Sequence, residues 1–569
     1  MTDIVERPAA PADGHAALEP VAPRTTEQLV AGATSAHDLG YGRRPARGHG
    51  YEMRGLAYVP VSRLHEGRFG RMFRLPPFVP SDERIKEIAA LMTENVTGPT
   101  PELDNPTIPA GYTYLGQFVD HDLTFDTASS LDRANDPDAL TNFRSPRFDL
   151  DCIYGRGPVD DPFIYDRTTG NEKMLIGRHD DEDDLPRNDQ ETALLGDPRN
   201  DENTFVSQLQ LTMLKFHNKV VDLVEADPAL CRGSETRFEA AQRIVRWHYQ
   251  WAVVHDFLRR TVGEEMLASV LDETGPRPKV RREFYTWKYD PYMPVEFSVA
   301  AYRFGHSQIR GRYKLNTLVG PLPTFLPTPT QDPATRLRHF GGFRILPPFW
   351  TIEWARFFEV DGAGSDARQQ TRLIDTKLAD PLAALPPEIA GDRPSLIERN
   401  LTRGARLLLP SGQDVADAMG ADILSGAELE LPGGGPAPLW YYVLREAKVQ
   451  AGGHHLGQVG GRVIAEVFLG LLEKDPSSYL RNEPGWKPFL AGDGDFTMPD
   501  LIAFTGHGLG VTTFPGGGAG GPGRPGGRPG GQPGTDGGPS GPGGAGGPGS
   551  AGGRPGPAGA PGGPAGPTP

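Results

Sequence analysis

Four polar residues with the chemistry of a catalytic site stand together in an otherwise apolar stretch near residue 120. Gln117, Asp120 and His121 are three or four positions apart, so a helix would place them on one face. A neutral imidazole near its ordinary pKa can take up a proton and return it. Asp122 would point about 100° away from His121, toward a different neighbour. The alternative interpretation is a helix end with solvated aspartates and a hydrogen-bonded histidine.

A second pattern is a short stretch with oxygen-bearing groups at alternate positions. Ser145, Arg147, Asp149 and Asp151 would point one way in an extended loop. Hard oxygen ligands of this kind suit Ca²⁺. Taken alone, the stretch also fits an ordinary acidic surface loop.

A third pattern is the segment Gly196-Asp197-Pro198-Arg199-Asn200-Asp201-Glu202, which comes just before an apolar helical run. The guanidinium of Arg199 is permanently charged, which suits a site where negative charge develops as a bond breaks. The alternative is a capping and salt-bridge cluster at a helix start, in which Asp197 acts as the cap.

Two further candidates lie in the second half of the chain. His306 ends the run Arg303-Phe304-Gly305-His306, and Asn400 lies in Arg399-Asn400-Leu401-Thr402-Arg403. A lone histidine after an apolar stretch is more often a packed core residue than a metal ligand. Each pattern is weak alone, so the functional interpretation depends on the order of all four patterns along the chain.

In that order, the patterns resemble the animal haem peroxidases. The resemblance implies that His121 is the distal acid–base catalyst, with Gln117 in the same pocket and Arg199 as the distal cation. It also implies that Asp120 and Glu202 form ester bonds to haem b. Asn203 stands where some members have a methionine linked to haem as a sulfonium, so that third bond should be absent.

The resemblance also assigns the proximal side of the haem. His306 would be the iron ligand, and Asn400 would accept the other N–H of its imidazole. Arg403 would bind a haem propionate, and Arg303 belongs to the same Arg-x-x-His cofactor-binding segment. For Ca²⁺, the resemblance implies a ligand set of Asp122, Ser145, Arg147 through its backbone carbonyl, Asp149 and Asp151.

The implied activity is that of a haem peroxidase, which reduces hydrogen peroxide through compound I and oxidises a small donor. Halide, thiocyanate and phenolic or aromatic donors all remain open. One alternative is a fatty-acid dioxygenase, which carries a radical-forming tyrosine three residues before the proximal histidine. That position is Arg303 here, and Tyr302 is one residue out of register. The other alternative is a non-catalytic haem-binding or structural protein.

The rest of the sequence predicts a mainly α, single large catalytic domain over 61–514 with long loops. A flexible segment precedes it at 1–60, and a Gly/Pro-rich tail at 515–569 has too little apolar surface to fold. Long loops are expected at 126–146 and 154–198. Apolar periodicity predicts helices over 113–124, 204–225, 238–261, 294–307, 396–408, 439–450 and 462–472.

Composition narrows the remaining function classes. The net charge of -15, without a basic cluster, argues against nucleic-acid binding. The sequence contains no run of eighteen apolar residues, so it predicts no membrane-spanning helix. The first residues show no signal peptide, which leaves the cytoplasm or a non-classical export route. Cys152 and Cys231 are expected to be free thiols, and the oligomeric state stays open.

Overall fold

The structure is a computed structural model that describes residues 67–95, 100–125, 141–142, 144–180, 182–362, 364–510 and 512. The predicted N-terminal segment 1–60, the tail 515–569 and most of the loop 126–146 lie outside these residues. The described helices, numbered in chain order, are α1 Asp82–Met92, α2 Gly111–Leu123, α3 Asp151–Tyr154, α4 Thr204–Ala226, α5 Arg237–Ala252, α6 Arg259–Val262, α7 Glu264–Val270, α8 Pro387–Ala390, α9 Leu396–Arg406, α10 Gly412–Met419, α11 Gly426–Leu429, α12 Leu439–Ala451, α13 Gln458–Lys474, α14 Tyr479–Asn482 and α15 Met498–Thr505.

The strands are short and form one three-stranded and three two-stranded sheets among the described residues. They are β1 Gly67–Gly70, β2 Asp104–Pro109, β3 Thr141–Asn142, β4 Gly177–His179, β5 Glu182–Asp184, β6 Leu271–Asp272, β7 Lys279–Val280, β8 Met293–Pro294 and β9 Gln370–Arg372. β1 lies between β3, which is antiparallel to it, and β8, which is parallel. The other three pairs, β2 with β9, β4 with β5 and β6 with β7, are antiparallel. The prediction of a mainly helical fold is confirmed.

Two long buried helices, α4 and α5, pack against each other and start at well-defined caps. The Asn203 side chain accepts hydrogen bonds from the first amides of α4, and Thr236 forms a capping box with Glu239 at α5. Such caps satisfy amides that have no partner inside the helix. Both helices are buried along most of their length, so they anchor the elements packed around them.

The segment predicted as one helix over 294–307 is not a continuous α-helix. It consists of β8, a π-helix over Glu296–Ala300 and a 3-10 helix over Ala301–His306. The Glu296 carboxylate accepts the backbone amides of Met72 and Phe73 at 3.0 and 3.1 Å, which ties this segment to the chain after β1. The backbone then changes direction at Ala300, whose φ and ψ are -124° and -77°. The apolar periodicity fits a helix, but the tertiary contacts determine which kind of helix forms.

Segment 238–261 is also subdivided, since a π-helix over Val253–Leu258 separates α5 from α6. Within the described ranges, none of the helices combines the length and the apolar character that crossing a bilayer requires. Cys152 is buried and Cys231 is half-buried, and both are free thiols.

Candidate functional site: a cavity between two histidines

The distal helix α2 brings its apolar face to the core and its polar face to a cavity. Leu115, Phe118 and Val119 are buried, and Gln117, Asp120 and His121 line the cavity. The helix runs close to its neighbours at Gly116, where an added Cβ would lie 3.1 Å from the Phe257 ring. Burial of one face thus fixes which polar side chains reach the cavity.

His121 is held by its Nδ1 atom, which lies 2.6 Å from Oδ1 of Asn200. Burial, together with the nearby charge of Arg199, lowers the pKa of His121 to about 4. The imidazole is therefore neutral at pH 7. A neutral ring in this place has the protonation state that a general base needs.

Arg199 lies on a 3-10 helix over Pro198–Asp201 and is held by an ionic network. Its guanidinium donates to the Asp197 carboxylate at 2.8 Å and to the carbonyls of His121 and Thr124 at 3.1 and 2.6 Å. It also lies over the Phe125 ring, 4.6 Å from the centroid. These contacts tie Arg199 to the end of α2, the helix that carries His121.

Asp197 joins Arg199 to a second cation, Arg144. Burial alone would raise the pKa of Asp197, but the two guanidinium groups hold it well below its usual range. Asp197 also accepts the backbone amide of Arg199 at 2.9 Å, which is the capping role considered from the sequence. Because the carboxylate stays ionised, the network keeps one net positive charge beside His121.

Gln117, Glu202 and Asn203 form a hydrogen-bonded group at the cavity wall. Gln117 Nε2 donates to Glu202 Oε1, and Asn203 Nδ2 donates to Gln117 Oε1 at 3.1 Å. Burial raises the pKa of Glu202 to about 7, despite the nearby charge of Arg199. Asp120 lines the same cavity, and its Oδ1 accepts the Thr124 hydroxyl at 3.0 Å.

His306 ends the 3-10 helix of the 294–307 segment, and its ring faces Asn400 of α9. Asn400 Nδ2 lies 2.8 Å from His306 Nδ1. Exchanging the amide nitrogen and oxygen leaves the heavy atoms in place, so Nδ1–H can equally donate to Asn400 and leave Nε2 as a metal ligand. Burial, with a contribution from Arg303, lowers the pKa of His306 to about 3, so this ring is also neutral.

Both histidines line one cavity of about 350 Å³, a volume within the usual range for a small-molecule or cofactor site. Besides Arg199, three arginines from two other elements line this cavity, which suits an anionic edge of a ligand. These are Arg303, Arg399 and Arg403. Apolar side chains complete the walls, among them Phe69, Val299, Phe304, Phe325, Leu382, Leu385 and Leu407. The donor set and the mixed walls fit a flat, largely apolar cofactor with carboxylates and a central metal.

The residues predicted to bind Ca²⁺ are neighbours but do not converge on one point. The backbone amide of Leu150 donates to Asp122 Oδ2 at 3.2 Å, and Ser145 Oγ donates to Asp149 Oδ2 at 2.7 Å. Asp151 starts α3, and the Arg147 side chain points to Asp475, 3.8 Å away. Among the described residues, no three His, Cys, Asp or Glu side chains form a group that could hold a metal ion.

Sequence reasoning did not assign a role to Asn200, although it quoted the segment that contains it. The contact from Asn200 to His121 spans 79 positions, and no local spacing encodes it. The only signal was its place between Arg199 and Glu202. His217, which lies outside the cavity lining, is buried and hydrogen-bonded to the Tyr154 hydroxyl and to the Glu172 carbonyl, at 3.0 and 2.9 Å.

A family model and curated relatives match parts of the chain. Residues 166–324 match the model for the animal haem peroxidase family. The chain is 30% identical over 207 residues to a peroxidase-like protein from Margaritifera margaritifera, covering 34% of this chain and 25% of that protein. It is 26% identical over 238 residues to the chorion peroxidase of Drosophila melanogaster, covering 41% of this chain and 27% of that protein. The chain thus covers about a quarter of the length of these curated relatives.

One solved structure has a similar fold at low sequence identity. Peroxidase A from Dictyostelium discoideum aligns with a TM-score of 0.56 and 14% identity, covering 78% of this chain and 94% of that one. The family match includes Arg199, Glu202 and His306, whereas His121 and Asn400 lie outside it. In the structure, the residues inside the family match and those outside it line the same cavity.

Proposed function

We propose that this chain, a member of the animal haem peroxidase family, is an enzyme that uses haem to reduce hydrogen peroxide and to oxidise a small donor. One observation carries the proposal: His121 and His306, which come from elements far apart in the sequence, line a single cavity together with Arg199. Haem bound there supplies the redox centre for peroxide cleavage. The residues described below supply binding, orientation and proton transfer.

On the distal side, His121 is the proton carrier and Arg199 the fixed charge. Neutral His121 takes the proton from one peroxide oxygen at Nε2 and returns it to the other oxygen as the bond breaks. Arg199 stabilises the negative charge that develops on the leaving oxygen. Gln117, held by Glu202 and Asn203, offers a further polar contact to a bound molecule.

On the proximal side, His306 holds the haem iron through Nε2, and Asn400 fixes the orientation of its ring. Arg303 and Arg403 bind the haem propionates. Arg303 is itself positioned by a hydrogen bond from its Nε to the Ser298 carbonyl, at 2.9 Å.

Asp120 and Glu202 are proposed to form ester bonds to haem. Both carboxylates line the cavity, which supports this assignment. The raised pKa of Glu202 means that a sizeable fraction of its carboxyl group is neutral near pH 7.

Ca²⁺ is proposed to bind between α2 and the loop 145–151. The donor chemistry supports it, since Asp122, Asp149, Asp151 and the Ser145 hydroxyl are hard oxygen ligands. The hydrogen bond from Leu150 to Asp122 already joins the loop to α2. Binding requires the side chains to draw together from the positions described above.

A turnover assay tests the proposed function directly. Purified protein is loaded with haem, mixed with hydrogen peroxide, and offered iodide, thiocyanate or a simple phenol in separate reactions. We expect peroxide-dependent oxidation of at least one donor. A parallel reaction with a fatty acid and dissolved oxygen tests the dioxygenase alternative, and oxygen uptake without donor oxidation would replace our proposal with that one.

A further inference from the structure

A chain of three hydrogen bonds leads from His121 into the core, away from the cavity. Oδ1 of Asn200 lies 2.6 Å from His121 Nδ1. Asn200 Nδ2 donates to Gln210 Oε1 at 2.8 Å, and Gln210 Nε2 donates to the backbone carbonyl of Cys152 at 3.0 Å. Asn200, Gln210 and Cys152 are fully buried, so bulk water does not replace any of these contacts.

The polarity of this chain is set at its inner end. The carbonyl of Cys152 can only accept a hydrogen bond, so the NH₂ group of Gln210 must face it. The Gln210 oxygen then faces Asn200, which must present its own NH₂ group there. The Asn200 oxygen is left to face His121. Turning either amide over would bring two acceptors or two donors together in a buried place, which is costly.

We infer that Asn200 and Gln210 are positioning residues that fix the tautomer of His121, keeping the hydrogen on Nδ1 and leaving Nε2 as the acceptor that faces the cavity. The inference rests on the proposed function, because it explains how the imidazole is presented as the base that receives the peroxide proton. The opposite tautomer would place an N–H at the cavity and could not take up a proton there.

The same series of hydrogen bonds connects the structural elements that surround the distal pocket. Asn200 belongs to the 3-10 helix Pro198–Asp201, next to Arg199. Gln210 is on α4 and Cys152 is on α3. The backbone of one short turn therefore carries both the distal cation and the amide that orients the distal base.

The test compares variants of Asn200 in two backgrounds by the stopped-flow rate of the reaction of haem-loaded protein with hydrogen peroxide. Asn200→Ala should slow this reaction by about 10- to 100-fold, the usual effect of losing such an orienting partner. In a His121→Ala background, the same substitution should change the rate less than about 2-fold, because no ring remains to orient.

Asn316→Ala is the matched control, since Asn316 is an equally buried amide whose partners are backbone groups at other positions. It should react at the wild-type rate. Equal slowing by Asn200→Ala in both backgrounds, or no slowing in either, would overturn the inference. A wild type that does not react with peroxide would instead overturn the proposed function on which it rests.

A second measurement needs no variant. A neutron structure of the resting wild-type protein should show deuterium on His121 Nδ1 and none on Nε2. Deuterium on Nε2 with a bare Nδ1 would contradict the tautomer assignment even if every Asn200 variant failed to fold.

Discussion

At the scale of single residues, the proposed function assigns proton transfer to His121 and charge stabilisation to Arg199. His121 is neutral and held by an amide, whereas Arg199 is ionised and paired with Asp197. The two side chains are linked through the carbonyl of His121, yet their chemistry differs. Replacing each one should therefore produce a different kind of loss.

His121→Ala should slow the reaction with hydrogen peroxide by about 10²–10⁴, the usual worth of general acid–base catalysis. Added imidazole should restore part of the rate, because it can occupy the space of the missing ring. His179→Ala, which removes a half-exposed histidine outside the cavity lining, is the control. Arg199→Ala should slow the same reaction by about 10²–10³-fold, and added imidazole should not restore its rate. A nearly unchanged rate in His121→Ala would mean that another group handles the proton.

The same pair predicts the pH dependence of that reaction. The pKa of His121 is about 4 because the ring is buried near Arg199. The base is therefore available from neutral pH down to about pH 5, and the rate should fall as pH drops through 4. A rate that falls near pH 6.5 would indicate that an exposed histidine, and not buried His121, acts as the base.

Covalent attachment of haem is a second prediction at this scale. After turnover with peroxide, acid and organic solvent should fail to extract haem from the wild type. Asp120→Ala combined with Glu202→Ala should release it, because no carboxyl group is left to form the ester. Protein that has never met peroxide is the control. Haem that extracts fully from the turned-over wild type would contradict the assignment.

The residue types of the site could be predicted from the sequence because each motif is local. Arg199 and Glu202 are three positions apart, and Gln117 and His121 are four apart, so a single turn presents each pair. Asn200 could not be assigned in the same way. Its function depends on which face of α2 meets the 3-10 helix, and packing decides that, not spacing.

At the scale of elements, helices defined by a long apolar stripe were predicted to within a few residues. The expected range 204–225 corresponds to α4, Thr204–Ala226, and 113–124 corresponds to α2, Gly111–Leu123. The segment before His306 was predicted less well. Its π-helix and 3-10 helix depend on contacts with the chain after β1, some 220 residues earlier, and periodicity carries no information about them.

The contact between α2 and the loop 145–151 leads to a prediction about calcium. If Ca²⁺ binds there, Asp122→Ala should lower haem occupancy and the melting temperature together, because the loop then no longer fixes the end of α2 that carries His121. Asp417→Ala, an exposed carboxylate on α10, should change neither. Elemental analysis that finds no calcium in active protein would contradict the proposal.

At the scale of the whole molecule, several buried histidines outside the cavity make the fold sensitive to acid. Burial lowers the pKa of His217 and His248 to about 4 and that of His255 and His507 to about 3. In the unfolded chain, these groups titrate near 6.5. Between pH 6.5 and 4, these four groups bind more protons in the unfolded state, so their contribution lowers the free energy of unfolding as the pH falls.

Urea unfolding of haem-loaded protein between pH 7.5 and 4.5 measures this effect. Buried carboxyl groups with a raised pKa, such as Glu202 and Glu446 at about 7, contribute to the pH dependence with the opposite sign. The slope of the free energy of unfolding against pH between 6.5 and 4.5 is therefore compared between the wild type and a histidine variant. His507→Gln should reduce that slope by up to about 1.4 kcal/mol per pH unit, the contribution of one proton. A slope that is the same in His507→Gln and in the wild type would mean that His507 is not buried as a neutral group.

The central claim is that His306 binds the iron of a haem in the cavity that also contains His121. The absorption spectrum of haem-loaded protein tests it most directly, with His306→Ala beside the wild type and His179→Ala as a control. We predict a Soret band typical of a histidine-ligated haem in the wild type and in His179→Ala, and its loss or a marked change in His306→Ala. An unchanged spectrum and unchanged peroxide turnover in His306→Ala would contradict the account.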